Sequence, residues 1–119
     1  MIASDVIMPT AGGGARNVLD DTAKNLWSDD VLMLYLSAGQ NDALNRIPEL
    51  GRQSDDSMLA VFPAVTALTD TLSLPDIWKD ALIHYVCFRA FNENMTAERN
   101  QARAAFHQAQ YERWFSPRA

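Results

Sequence analysis

The sequence predicts an all-α fold: a small antiparallel bundle of about four helices with a flexible N-terminal arm and an irregular or hairpin-containing middle loop. Two observations carry this expectation. Apolar residues recur at helical spacing across residues 31–47 and again across residues 77–91. Pro48, Pro75 and Pro117 stand at the edges of the helical stretches, where a residue without a backbone N–H is tolerated.

Taken in order, residues 1–14 read as a flexible arm. A short apolar start, with Ile2, Val6, Ile7 and Met8, is followed by Pro9 and by Gly12, Gly13 and Gly14, which abolish local preference. No Gly-Lys-Ser/Thr follows the glycines, so they make no phosphate loop. Val18, Leu19, Ala23 and Leu26 fit a first short helix over residues 15–25. Ser28 is a candidate N-cap for a second helix over residues 29–46, and Asp29 and Asp30 favour the positive end of its dipole. Val31, Leu32, Tyr35, Leu36, Gly39, Ala43, Leu44 and Ile47 form its apolar stripe, and Pro48 ends it.

Residues 48–74 hold turn formers at Gly51 and Ser54 to Ser57, then the apolar runs Met58–Phe62 and Val65–Leu74 around Pro63. A short hairpin and an extended loop lying over the helices both fit. Pro75 opens a third helix, to about residue 92, whose Ile77, Trp78, Ala81, Leu82, Tyr85, Val86, Phe88 and Phe91 cover most of its circumference. Such a helix is central in a bundle or covered by a partner. A fourth helix, over residues 96–115, carries small residues at Ala97, Ala102, Ala104, Ala105 and Ala109, with Phe106, Tyr111, Trp114 and Phe115 as larger anchors. The expected organisation is an arm (1–14), a helical domain (15–115) and a short tail (116–119).

Composition narrows the function. A length of 119 residues suits one domain, and 48% hydrophobic with 21% charged residues is ordinary for a folded one. The net charge of −5 argues against a broad basic face for nucleic acid. The charge is uneven: residues 1–83 hold five basic and twelve acidic side chains, residues 84–119 five basic and three acidic. This asymmetry of −7 against +2 fits either chance scatter or opposite-sign surfaces that face each other between copies. The single cysteine, Cys87, permits no intrachain disulfide and sits in an apolar run as a small buried thiol. Neither a membrane span nor a signal peptide is expected, and synthesis in a reducing cytosol is.

No catalytic, cofactor or metal site is expected. His84 and His107 are the two histidines, and they would meet if their helices pack together, but zinc would need further ligands. Asp20-Asp21, Asp29-Asp30 and Asp55-Asp56 are adjacent pairs whose side chains diverge on a helix, so they are not acid–base dyads. Trp27 and Trp78 suit core packing. Trp114 and Phe115, with Arg113 and Arg118 around them, have less domain left to bury them and are expected to touch a partner, as are Ile2, Val6, Ile7 and Met8. Simple fraying is the plain alternative for both ends.

Three segments carry a family resemblance. Trp27 to Gln40 is similar to the run of tryptophan, acidic pair, leucine, Tyr-Leu and Gly-Gln that opens the long helix of head-to-tail connector (adaptor, or head-completion) proteins of tailed bacteriophages. Leu74 to Leu82, with Tyr85-Val86 and Arg89-Ala90-Phe91, resembles a second helix of that family, and Asn100 with Ala102 to His107 resembles the last. Residues 48–73 match no pattern of the family. The resemblance implies a virion protein at the head–tail junction, made in the host cytoplasm. It would form a homo-oligomeric ring, commonly of about twelve subunits, beneath the portal protein. There it would extend the channel through which DNA passes without specific binding, and offer a docking surface to a tail or tail-completion protein. The competing class is a non-viral helical interaction or regulatory module that pairs as a dimer.

Overall fold

The computed structural model describes residues 1–8, 14–19, 27–93 and 98–115. Its helices are α1 (Ala3–Ile7), α2 (Ala15–Leu19), α3 (Asp29–Arg46), α4 (Lys79–Glu93) and α5 (Glu98–Arg113), with 3₁₀ turns at Pro48–Gly51 and Asp76–Trp78. No strand occurs among the described residues, so the all-α class holds. Residues 20–25 of the expected first helix and the tail 116–119 lie outside the described residues.

The long helices begin and end where the chemistry of their termini requires. Ser28 caps α3, its hydroxyl accepting from the Val31 N–H at 3.2 Å, and Asp29 and Asp30 occupy the first turn. After Arg46 the Ile47 N–H still reaches the Ala43 carbonyl, and Pro48 then tightens the chain into a 3₁₀ turn. Pro75 stands at the N-cap of the Asp76–Trp78 turn, so the chain enters this helix as 3₁₀ and becomes α-helical at Lys79, the start of α4.

Helix α4 packs against every other helix, which is why its apolar residues run round the axis. Ala81, Leu82, Ile83, Tyr85, Val86, Cys87, Ala90 and Phe91 are all buried. Two of the expected core residues depart from this: Ile77 is 72% exposed and Phe88 half-buried. Helices α3 and α5 flank α4, each antiparallel to it. Gly39 lets α3 approach closely, because a Cβ there would stand 2.8 Å from the Tyr85 ring. On the other side α4 and α5 meet through His84 and His107, and through Trp78 against Trp114.

The middle segment is a loop and not a hairpin. Its only ladder-like contacts among the described residues are isolated bridges, Arg52 with Met58 and Ile2 with Thr71. Phe62, Val65, Leu72 and Leu74 point into the core. Their backbone is held by polar side chains of α3. Asn41 Oδ1 accepts from the Phe62 N–H at 2.7 Å, Ser37 Oγ from Val65 at 2.8 Å, and Gln40 Oε1 from Ser73 at 2.9 Å and Leu74 at 3.2 Å. Asp56, at φ 66°, takes the left-handed position of the exposed turn, where Asp55 accepts from the Ser57 N–H and hydroxyl.

The expectation of a flexible arm fails at its start. Residues 3–7 are helical, and Ala3, Val6 and Ile7 are fully buried against α3 and α4. The Ala3 and Ser4 N–H groups donate to the Asp70 and Leu68 carbonyls, both at 2.9 Å, which fastens the segment to the loop. The apolar patch therefore has a home within the domain. Pro9 to Gly13 lie outside the described residues. Gly14 has φ +111° and a Cβ there would collide with the Met8 carbonyl, so glycine is required where the chain enters α2.

Candidate partner interface

Residues expected to meet partners fall into three groups. Val6 and Ile7 are core, and burial with no exposed surface removes them from any interface of the folded domain. Ile2 and Met8 are half-buried beside them. Arg118 lies outside the described residues.

At the C-terminal end, Arg113 is exposed, whereas Trp114 and Phe115 are half-buried against the domain's own aromatics. Trp78 receives both rings, at 5.8 Å and 5.6 Å between centroids, and Tyr111 meets Phe115 at 5.1 Å. The Arg46 guanidinium lies over the Phe115 ring at 4.8 Å and pairs with Asp42 and Glu112, closing the far ends of α3 and α5. Its hydrogen bonds to Glu112 raise the Arg46 pKa and hold the Glu112 carboxyl below the usual carboxylate range. Burial, with a 2.8 Å bond from its hydroxyl to Asp42, drives Tyr111 upward. This end is a fastening between helices, with the edges of Trp114 and Phe115 still reachable.

The histidines do meet. His84 Nδ1 and His107 Nδ1 are 2.9 Å apart, so one ring donates and the other accepts. His107 stacks on Phe91, and burial lowers both pKa values, that of His107 to about 4, aided by His84 and Arg103. No group of three or more His, Cys, Asp or Glu gathers to hold a metal ion among the described residues. Cys87 is fully buried, and desolvation pushes its thiol up to about 12.

Other apolar side chains, assigned to the core by sequence or passed over, stand in solvent. Leu34 and Val61 are each 65% exposed, Phe106 is 55% exposed, and Met58 and Leu59 are partly open on the loop. Leu34 carried a readable signal, because it falls outside the apolar stripe of α3. Phe106 did not, since nothing in the alanine-rich pattern of α5 separates an anchor from a knob.

A family model, the SU10 adaptor protein, matches residues 55–116, just over half of the chain. The chain belongs to the SU10 adaptor protein family. This adaptor is therefore a structural phage protein from a family of virion components and not of enzymes. Neither the curated proteins nor the solved structures searched give a match. The match takes in the Leu74–Leu82 and Asn100–His107 segments that carried the resemblance, while Trp27–Gln40 lies outside it. It also covers residues 55–73, which were expected to fit no pattern of the family, together with Met58, Leu59, Val61, Ile77 and Phe106. No described helix is long and apolar enough to cross a membrane.

Proposed function

We propose that the adaptor forms a homo-oligomeric ring beneath the portal, extends the DNA channel and offers a docking surface to a tail or tail-completion protein. The observation that carries this reading is the family match over residues 55–116, which takes in α5, the helix whose outward face remains open. The physical character of the chain agrees with it. A net charge of −5 disfavours adhesion to passing DNA, so the polyanion would move through the lumen without specific contacts. Exposed apolar side chains sit on different elements, Leu34 on α3, Met58, Leu59 and Val61 on the loop and Phe106 on α5, as a subunit with neighbours on both sides needs. Arg113 and the reachable edges of Trp114 and Phe115 are the C-terminal groups available to a partner, and Ile2 and Met8 the N-terminal ones.

Electron microscopy of the purified protein, alone and mixed with its cognate portal, tests this reading. A closed ring coaxial with the portal is expected. A dimer that ignores the portal would overturn it and favour the helical regulatory module.

A further inference from the structure

The outward faces of α3 and α5 differ in shape and charge. Between α3 and the loop runs an open groove of about 310 Å³, walled by Met33, Leu34, Ala64 and Val65 with Asp30 on its rim. Among the described residues no Lys or Arg lines it. Beside it Asp70 accepts from the Thr66 and Ala67 N–H groups at 2.9 Å and 3.1 Å, which keeps its carboxyl below the ordinary range and its charge in place. On α5, Ala102, Ala105, Phe106 and Ala109 follow one another at helical spacing and are exposed, Phe106 being the one large side chain among them. Arg103, one turn before Phe106, and Arg113 are also exposed, whereas Glu112 is drawn away to Arg46.

We infer that these two faces bind each other between copies of the chain: Phe106 of one copy seats in the groove of the next, with Arg103 against Asp30. This rests on the ring reading and names the contact that would build the ring. Three observations select a second copy as the occupant. The groove is apolar with acidic groups beside it, and the α5 face is apolar with basic groups, so each complements the other and neither complements itself. The exposed knob is aromatic, the side-chain type that most often anchors an interface. The groove lies on α3 and the loop and Phe106 lies on α5, with α4 packed against both helices, so one chain carries both faces at once. A contact between unlike faces propagates from copy to copy until it closes, whereas a self-complementary face stops at two.

The test uses the full chain. Asp30→Cys and Arg103→Cys are made separately and mixed, then treated with a short bifunctional thiol cross-linker; the native Cys87 is fully buried and does not compete. Mixing the two variants should give a cross-linked pair, each variant alone should remain uncoupled, and the double variant should give a ladder of multimers. In parallel, Leu34→Arg and Phe106→Glu should abolish self-assembly on sedimentation while leaving the helical circular dichroism signal unchanged. Coupling within either single variant, or assembly undiminished in both substitutions, overturns the inference. If wild-type protein forms rings that these variants also form, the ring stands and this contact falls. If wild-type protein stays monomeric alone and with its portal, both fall. If Leu34→Arg keeps self-assembly and loses only the portal, the groove belongs to the portal and the inference is wrong.

Discussion

Helix α4 and the loop that precedes it are both anchored in the core, one by what its own side chains bury, the other by what a neighbouring helix offers its backbone. Helix α4 satisfies its N–H and C=O groups internally and buries apolar side chains nearly all round. The loop satisfies only part of its own backbone, and Ser37, Gln40 and Asn41 of α3 supply acceptors for Phe62, Val65, Ser73 and Leu74. Gln40 is 1% exposed, a buried amide whose carbonyl serves two loop N–H groups. Helix α3 thus serves two neighbours by different means: it packs apolar side chains against α4, and toward the loop it adds the polar groups of Ser37, Gln40 and Asn41.

The largest expected effect lies on the α4 side. Leu82→Ala and Trp78→Ala should each cost about 2–5 kcal/mol of stability, measured by denaturant or thermal unfolding. Leu82 is fully buried, and Trp78 also holds Trp114 and Phe115. Melting close to wild type in both would mean that the core lies elsewhere. On the loop side, Gln40→Leu leaves two N–H groups without an acceptor and should cost about 1–3 kcal/mol. The helical signal should survive while cleavage within residues 53–74 by a dilute protease accelerates. Global unfolding without selective cleavage would show that the loop is not a separately held unit.

How much of this the sequence made legible follows from the same contrast. Packing on a helix leaves a periodic mark, so α3 and α4 could be located from Leu32, Leu36, Ala43, Leu82 and Val86, and Ser28 and Pro48 marked the two ends of α3. Side-chain-to-backbone anchoring leaves no period, so Ser37, Gln40 and Asn41 looked like ordinary polar residues and the loop stayed ambiguous. Val6 and Ile7 misled for a related reason: a short segment beside three glycines reads as loose until the partner surface, distant in sequence, is known. At the candidate interface, only the aromatic and basic make-up of the C-terminal end was legible in composition. The groove was not, because it forms between α3 and a loop whose course the pattern does not encode.

Two smaller effects sharpen the comparison. Burial keeps His84 and His107 neutral in the folded state, whereas unfolded histidine gains a proton near its ordinary value of 6.5. The pair's contribution is therefore complete above about 6.5 and declines as pH falls toward about 4. Melting temperatures between these limits should fall more steeply for wild type than for His107→Gln, and parallel curves would show that the α4–α5 contact does not depend on the pair. The smallest effect belongs to Ile77, 72% exposed in the 3₁₀ turn that leads into α4. Ile77→Ser should shift stability by no more than about 0.5 kcal/mol, and a larger loss on unfolding would return this residue to the core.

The single thiol gives the chain a built-in clock. Cys87 lies where α4 meets the start of α2, its sulfur 3.9 Å from the Ala15 carbonyl, fully buried and with its ionisation pushed up to about 12. The thiolate is the form that attacks an alkylating reagent, and at neutral pH the closed molecule offers almost none. The rate at which the protein consumes such a reagent therefore counts openings of its most central helix. Because a copy fixed in an assembly opens less often than one in solution, the same rate would time how long each subunit stays in place, without a dye or a tag.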